Sequence, residues 1–179
     1  MSLRHASELH QKRADVSTPP DSASRPVYPR RMARRPRNLL PPSGIYHVTA
    51  RGVGRMQLFL EEDDYRDYLA LLNAVVRRWR WSMHVLCLMP NHVHHVVETS
   101  LDALSKGIHR LHGEYATGFN LKYGRWGHVF GDRFASWLPQ DEEHLRATCG
   151  YVLLNPVRAG LVGAAEDWPW SHSRYGWVT

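Results

Sequence analysis

Apolar positions along this chain repeat with two different periods, and each change of period marks an element. Ile45-Tyr-His-Val-Thr-Ala50 is rich in β-branched and aromatic residues and gives way to Arg51-Gly-Val-Gly-Arg55, which predicts a strand running into a basic loop. After an acidic opening, Glu61-Glu62-Asp63-Asp64, the residues Tyr65, Tyr68, Leu69, Leu72, Val75, Val76 and Trp79 fall at helical spacing. Arg77, Arg78 and Arg80 close that stretch, where the helix dipole favours cations. Trp81 to Met89 and His92 to Thr99 are short apolar runs divided by Pro90-Asn91, which predicts a hairpin. A second helix is expected after Asp102, with Leu104, Ile108, Leu111, Tyr115 and Phe119 on one face and an end near Tyr123-Gly124. His128 to Leu138 predicts a fourth strand. Beyond Pro139, Asp141-Glu142-Glu143 opens a third helix whose apolar stripe is Leu145, Cys149, Val152 and Pro156.

The order β-α-β-β-α-β-α predicts an α+β fold: a ferredoxin-like antiparallel sheet with two helices on one face and an additional C-terminal helix, which carries Tyr151, on or beside the other. In such a sheet the first and third strands are central, so His92 to Thr99 crosses its middle. No internal repeat is visible at a period of 20 to 50 residues.

Composition narrows the picture. The 179 residues, 43% hydrophobic, suffice for one ordinary domain with a real core. No run approaches 18 consecutive apolar residues, and Met1-Ser2-Leu3-Arg4-His5 lacks the apolar stretch of a secretory signal, so neither membrane spanning nor secretion is expected. The two cysteines, Cys87 and Cys149, offer no Cys-x-x-Cys spacing, which argues against a disulfide scaffold or zinc finger and for a reducing cytoplasm. Residues 1–39 hold nine Arg and Lys against three acidic residues and account for the whole formal net charge of +6. Rich in Pro, Ser and Arg, this segment has too few apolar residues to offset the entropy of ordering and is expected to be disordered. It reads either as an arm drawn to nucleic acid or as a solubilising extension. Residues 40–179 form the domain.

Candidate chemistry begins with His92 and His94, whose side chains share one face of a strand and could share a divalent metal. Alone, the pair reads more readily as structural or surface imidazoles. His95 points to the opposite face, toward the first two helices, and is expected to be structural. On the third helix His144, Thr148, Tyr151 and Asn155 recur one turn apart as a polar seam beside the apolar stripe. Tyr151 and Asn155 can reach the same spot, or Asn155 can simply end the helix before Pro156. Arg51 and Arg55 flank Gly52 and Gly54, a composition that lets a nucleic-acid strand approach closely or that marks a plain turn. Arg110, Lys122, Arg125 and Arg133, with Lys106, extend a basic track, and Trp126 could stack on bases or belong to a core.

Met89-Pro90-Asn91-His92-Val93-His94, followed by Tyr151-Val-Leu-Leu-Asn155-Pro156-Val157-Arg158-Ala159-Gly160-Leu161-Val162, resembles the single-tyrosine transposases with a His-hydrophobic-His (HUH) motif. More narrowly it is similar to the REP-associated tyrosine transposases, the bacterial branch linked to repetitive extragenic palindromes. Tyr46-His-Val-Thr-Ala-Arg51-Gly52, Tyr123-Gly-Arg125-Trp-Gly127-His128 and Trp168-Pro-Trp170-Ser171 match as well, so the resemblance covers roughly residues 40 to 177. Gly150, Leu153 and His95 depart from the usual pattern. The resemblance implies a ferredoxin-like endonuclease that cleaves and joins single-stranded DNA at the foot of hairpins, acting as a monomer or homodimer in the bacterial cytoplasm near the nucleoid. It implies His92, His94 and Asn155 as ligands of Mg²⁺ or Mn²⁺ and Tyr151 as the nucleophile.

That chemistry makes physical sense. A free phenol has a pKa near 10, so ionising it at pH 7.5 costs about 3.4 kcal/mol, and a divalent ion held by neutral ligands keeps its full charge to offset this at a phosphodiester. Two rival readings remain from the sequence: a non-catalytic nucleic-acid-binding module on the same sheet, and a two-histidine metal hydrolase that activates water.

Overall fold

The structure, a computed structural model, describes residues 40–131, 135–137, 139 and 141–176. The basic arm of residues 1–39 and Arg133 lie outside the described residues. The first strand, β1 (Ser43–Arg51), runs into a short 3-10 turn at Val53–Arg55. It is followed by α1 (Glu62–Trp79), β2 (Ser82–Met89), β3 (His92–Ser100) and α2 (Leu101–Lys122). After β4 (Ala135–Trp137) come α3 (Glu142–Leu153), the one-turn α4 (Asn155–Arg158), a 3-10 turn at Ala165–Asp167 and β5 (Ser171–Ser173).

The five strands lie in the order β4-β1-β3-β2-β5, with β1 and β3 central as the connectivity requires. Every pairing in it is antiparallel. The three longer helices start where their capping residues dictate: Ser100 Oγ accepts from Ala103 N ahead of α2, and Asp141 Oδ1 from His144 N ahead of α3. At α1, Asp64 Oδ2 accepts from the Leu60 and Glu61 amides, and Arg80 closes the helix in the left-handed conformation.

Strand alternation divides the sheet into two faces. Tyr46, Val48, Ala50, Leu86, Leu88, Val93 and Val97 point one way and join Tyr68, Leu72, Val75, Leu104, Ile108, Leu111 and Tyr115 of α1 and α2 in the larger core. Val85, Cys87, Met89 and Val96 point the other way, where Cys149, Val152 and Leu153 of α3 form a second, smaller core. Both cysteines are buried and unpaired, and burial pushes each thiol up to about 11.

Three expectations need correction. The fourth strand does not begin at His128: among the described residues Phe130 makes a single bridge to Gly52 and Ala135–Trp137 pairs with β1. A fifth strand, unforeseen, pairs along the outer edge of β2. The third helix does not run unbroken to Pro156, because Pro156 has no N–H to offer the Val152 carbonyl. Asn155 Nδ2 donates to Val152 O at 3.2 Å and to Tyr151 O at 3.0 Å in its place, and the chain re-enters a helical turn as α4.

Candidate active site

The site lies on the face of the sheet that α3 covers. Pro90 and Asn91 make the turn between β2 and β3, and the turn is braced by Leu58 N and Phe59 N on the Pro90 carbonyl and by Gly52 N on the Asn91 carbonyl. Gly52 also lets the Val53–Arg55 turn close against it, since a Cβ there would overlap the Met56 carbonyl. The turn sets the register in which His92 pairs with Arg51 and Met89, and His94 with Thr49 and Cys87.

His92 and His94 therefore stand side by side, ring centroids 5.0 Å apart at 79°. His92 is half-buried, whereas His94 is only 5% exposed, so the pair opens on the His92 side. His92 Nδ1 donates to Asn91 Oδ1 at 2.6 Å, and Asn91 Nδ2 donates to the Arg55 carbonyl at 3.5 Å, which orients the amide. His92 Nε2 is left as a lone-pair donor. His94 Nδ1 lies 2.9 Å from Nε2 of a third imidazole, His47, while His94 Nε2 is buried with no hydrogen-bond partner among the described residues. Burial, with the Arg51 guanidinium second, lowers the His92 pKa to about 4. Burial, and then the neighbouring His47, His92 and His95 rings and Arg51, holds His94 well below its ordinary value. Both rings are thus neutral at neutral pH, as a metal ligand must be.

Helix α3 brings Tyr151 to the same place. Its ring stands edge-on to that of His94, centroids 6.2 Å apart at 85°, and the Arg158 guanidinium lies 4.9 Å over the phenol ring. Asn155 is one turn beyond Tyr151; with its Nδ2 donating to the helix end, Oδ1 is the atom it has for a ligand role. Among the described residues no group of three or more His, Cys, Asp or Glu side chains could hold a metal ion, so a site here needs an amide, water or substrate oxygen to complete it. The donor set fits a divalent cation on two counts: an orphaned buried Nε2 at His94 and a tautomer-locked imidazole at His92.

His95, as expected, faces away: it stacks on Tyr68 at 5.9 Å in the larger core, with Nε2 3.3 Å from the Tyr68 hydroxyl. On the seam of α3, Thr148 is buried and His144 half-buried.

The basic residues divide into two groups. Arg51, Arg55 and Arg125 are exposed at the end of the sheet that carries His92. The segments bearing them are tied together by Val53 N on Val129 O, Gly131 N on Arg51 O and Arg125 Nη2 on Met56 Sδ. Trp126, 95% exposed, sits beside Arg125 in a loop pinned by Arg125 N on Asn120 O and Asn120 Nδ2 on Gly127 O, which excludes the core alternative. The structure does not bring Arg110 and Lys122 into that group. Arg110 pairs with Glu114 at 2.7 Å beside Trp79, and Lys122 pairs with Asp64 at 2.7 Å and Glu61 at 2.5 Å. Their charges are balanced on the helical layer.

Sequence reasoning passed over His47, Asn91 and Arg158 as site residues. His47 and Asn91 were legible only through register and turn geometry. Arg158 carried a fainter signal, lying two helical turns beyond Tyr151.

Residues 42–153 match the protein family described as Transposase IS200 like. Among solved structures, that of a REP-associated tyrosine transposase bound to a REP hairpin is similar in fold, with 21% identity and a TM-score of 0.60 over 72% of this chain and 75% of that one. A presumed transposase from Deinococcus radiodurans R1 is similar at 15% identity and a TM-score of 0.45, over 69% of this chain and 94% of that one. No curated protein matches the chain.

Proposed function

Because the chain belongs to the IS200-like transposase family, a family of DNA-processing enzymes, we propose that it cleaves and rejoins single-stranded DNA at the foot of hairpins through a 5′-phosphotyrosine formed on Tyr151. The observation that carries this reading is the placement of the Tyr151 phenol edge-on to His94, 6.2 Å between centroids, a ring whose Nε2 has no hydrogen-bond partner among the described residues. The REP hairpin in the similar structure supports a hairpin-bearing strand as substrate.

His92 and His94, with Asn155 Oδ1 as third ligand, would hold Mg²⁺ or Mn²⁺, which when bound supplies positive charge to a phosphate oxygen. The chain's own residues do the rest. The Tyr151 oxygen attacks the scissile phosphorus, forming a new P–O bond and releasing its proton to solvent, while the bond from phosphorus to the 3′ oxygen breaks and that oxygen takes up a proton. The phosphodiester energy is retained in the tyrosyl link, so attack by a 3′-hydroxyl restores the strand without ATP. Arg158, lying over the phenol ring, favours negative charge on the tyrosyl oxygen as attack proceeds. Arg51, Arg55 and Arg125 contact the backbone and Trp126 stacks on an unpaired base.

Incubating the protein with hairpin-bearing single-stranded DNA and Mn²⁺ should give a denaturation-resistant adduct. Tyr151→Phe should give none while binding the same DNA. A binding module would form no adduct and cut nothing. A water-activating hydrolase would cut without an adduct and tolerate Tyr151→Phe. No helix of the described residues is long and apolar enough to cross a membrane.

A further inference from the structure

His47 is a fully buried titratable side chain that the chemistry above leaves without a task. It lies on β1 two residues before Thr49, the cross-strand partner of His94, and is therefore the diagonal neighbour of His94 on the same face. The two rings are 5.2 Å apart, with His47 Nε2 2.9 Å from His94 Nδ1.

A hydrogen bond between two neutral imidazoles contains one proton and so has two forms. If His47 donates, the proton of His94 sits on its own Nε2, which then cannot ligate. If His94 donates from Nδ1, its Nε2 is a bare lone pair. Two observations favour the second form. His92 is arranged the same way, with Nδ1 donating to the amide oxygen of Asn91, an atom that can only accept. The second form also leaves His94 Nε2, enclosed and without a hydrogen-bond partner among the described residues, as the bare lone pair that the metal reading requires.

We propose that His47 is the positioning residue of His94: it accepts the Nδ1 proton, fixes the tautomer with Nε2 bare, and aims that nitrogen at a divalent cation. The proposal rests on the reading that His92 and His94 hold the metal. Metal-bound histidines nearly always donate their other ring N–H to an oriented acceptor, and losing that acceptor typically weakens metal binding 10- to 100-fold. A neutral imidazole in this place adds no negative charge beside the ion.

The test uses the full chain. Long-range nitrogen-proton correlation spectra of the metal-free, histidine-labelled wild type should show His94 protonated on Nδ1; a proton on Nε2 overturns the proposal without any variant. Mn²⁺ affinity, measured by electron paramagnetic resonance titration, should fall roughly 10- to 100-fold in His47→Leu and be largely kept in His47→Gln, whose side-chain oxygen can still accept. Equal Mn²⁺ affinity in wild type and His47→Leu overturns the role of His47 while leaving the metal reading intact. Absence of Mn²⁺ binding by the wild type overturns the metal reading first, and the positioning role with it. Should His47→Leu fail to fold, the spectra of the wild type and the affinity of His47→Gln still decide: a 10-fold or greater loss in His47→Gln counts against the proposal.

Discussion

The Arg158 guanidinium lies 4.9 Å from the centre of the Tyr151 ring, on a short helix separated from that of Tyr151 by the Leu154 break. A cation over the face of a tyrosine ring is worth about 0.5–2 kcal/mol and here would hold the phenol in its place beside His94. Arg158→Ala is therefore expected to slow adduct formation about 2- to 30-fold. Single-turnover rates at saturating DNA measure this, and an unchanged rate would remove Arg158 from the chemistry.

Backbone contacts by Arg51, Arg55 and Arg125 should be visible in salt dependence. A single strand loses about 0.7 in the slope of log affinity against log salt for each phosphate released, so replacing all three by Gln should flatten the slope by about 2. If the slope is unaltered, the DNA runs elsewhere, and the basic arm of residues 1–39 becomes the next segment to delete.

Trp126 gains nothing from the fold, being 95% exposed, so Trp126→Ala should leave stability within about 0.5 kcal/mol of the wild type. Stacking on one base is worth about 1–3 kcal/mol, which translates into roughly 5- to 150-fold weaker binding of single-stranded DNA. Parallel thermal melts and filter-binding curves separate the two effects.

Acid should destabilise the protein in two stages. His112, packed on Phe130 at 4.0 Å, is lowered by burial to about 3, so between its unfolded value near 6.5 and about 3 the unfolded chain binds a proton that the fold does not. Stability is lost as pH falls through that window. Asp64 adds a second stage. Burial would raise its carboxyl, but bonds from Lys122, the Leu60 amide, Tyr123 and the Glu61 amide together pull it below its ordinary value. Its contribution is complete above the unfolded value near 3.8 and disappears as pH drops through the lower folded one. Urea midpoints at pH 7 and 5 should differ less in His112→Phe than in the wild type.

Gly107 sits in the middle of α2, where helix propensity alone would make Ala better by about 1 kcal/mol. A Cβ there would overlap the Trp81 ring, and overpacking of this kind costs about 1–3 kcal/mol. Gly107→Ala is thus expected to lower the unfolding midpoint; a stabilised variant would show that Trp81 moves aside freely.

Much of the fold was legible because periodicity reports which side of an element is buried. The stripe Tyr68, Leu72 and Val75 named the inner face of its helix, whereas β3 is buried on both faces from Val93 to Val97 and carries no such alternation. Even the central place of β3 followed from connectivity. The short β5 was invisible, since Ser171–Ser173 carries no apolar alternation and pairs only because Trp168 and Trp170 anchor the chain beside Leu88. Within the site, His92, His94 and Tyr151 were found through local spacing and family resemblance. His47 was not, because its relation to His94 exists only once β1 and β3 are in register. That Lys122 is ion-paired was not legible, because its partners, Glu61 and Asp64, are some sixty residues away along the chain.

The sheet keeps two apolar populations apart, one under α1 and α2 and a smaller one under α3. The first decides whether the chain folds. The second, built from Val85, Cys87, Val96, Cys149 and Val152, is the spacer that sets how far the tyrosine stands from the imidazoles. A one-methylene change among those five would be felt as a shift in reach before it was felt as a loss of fold, so this small layer is where a descendant enzyme could retune its reaction without rebuilding its scaffold.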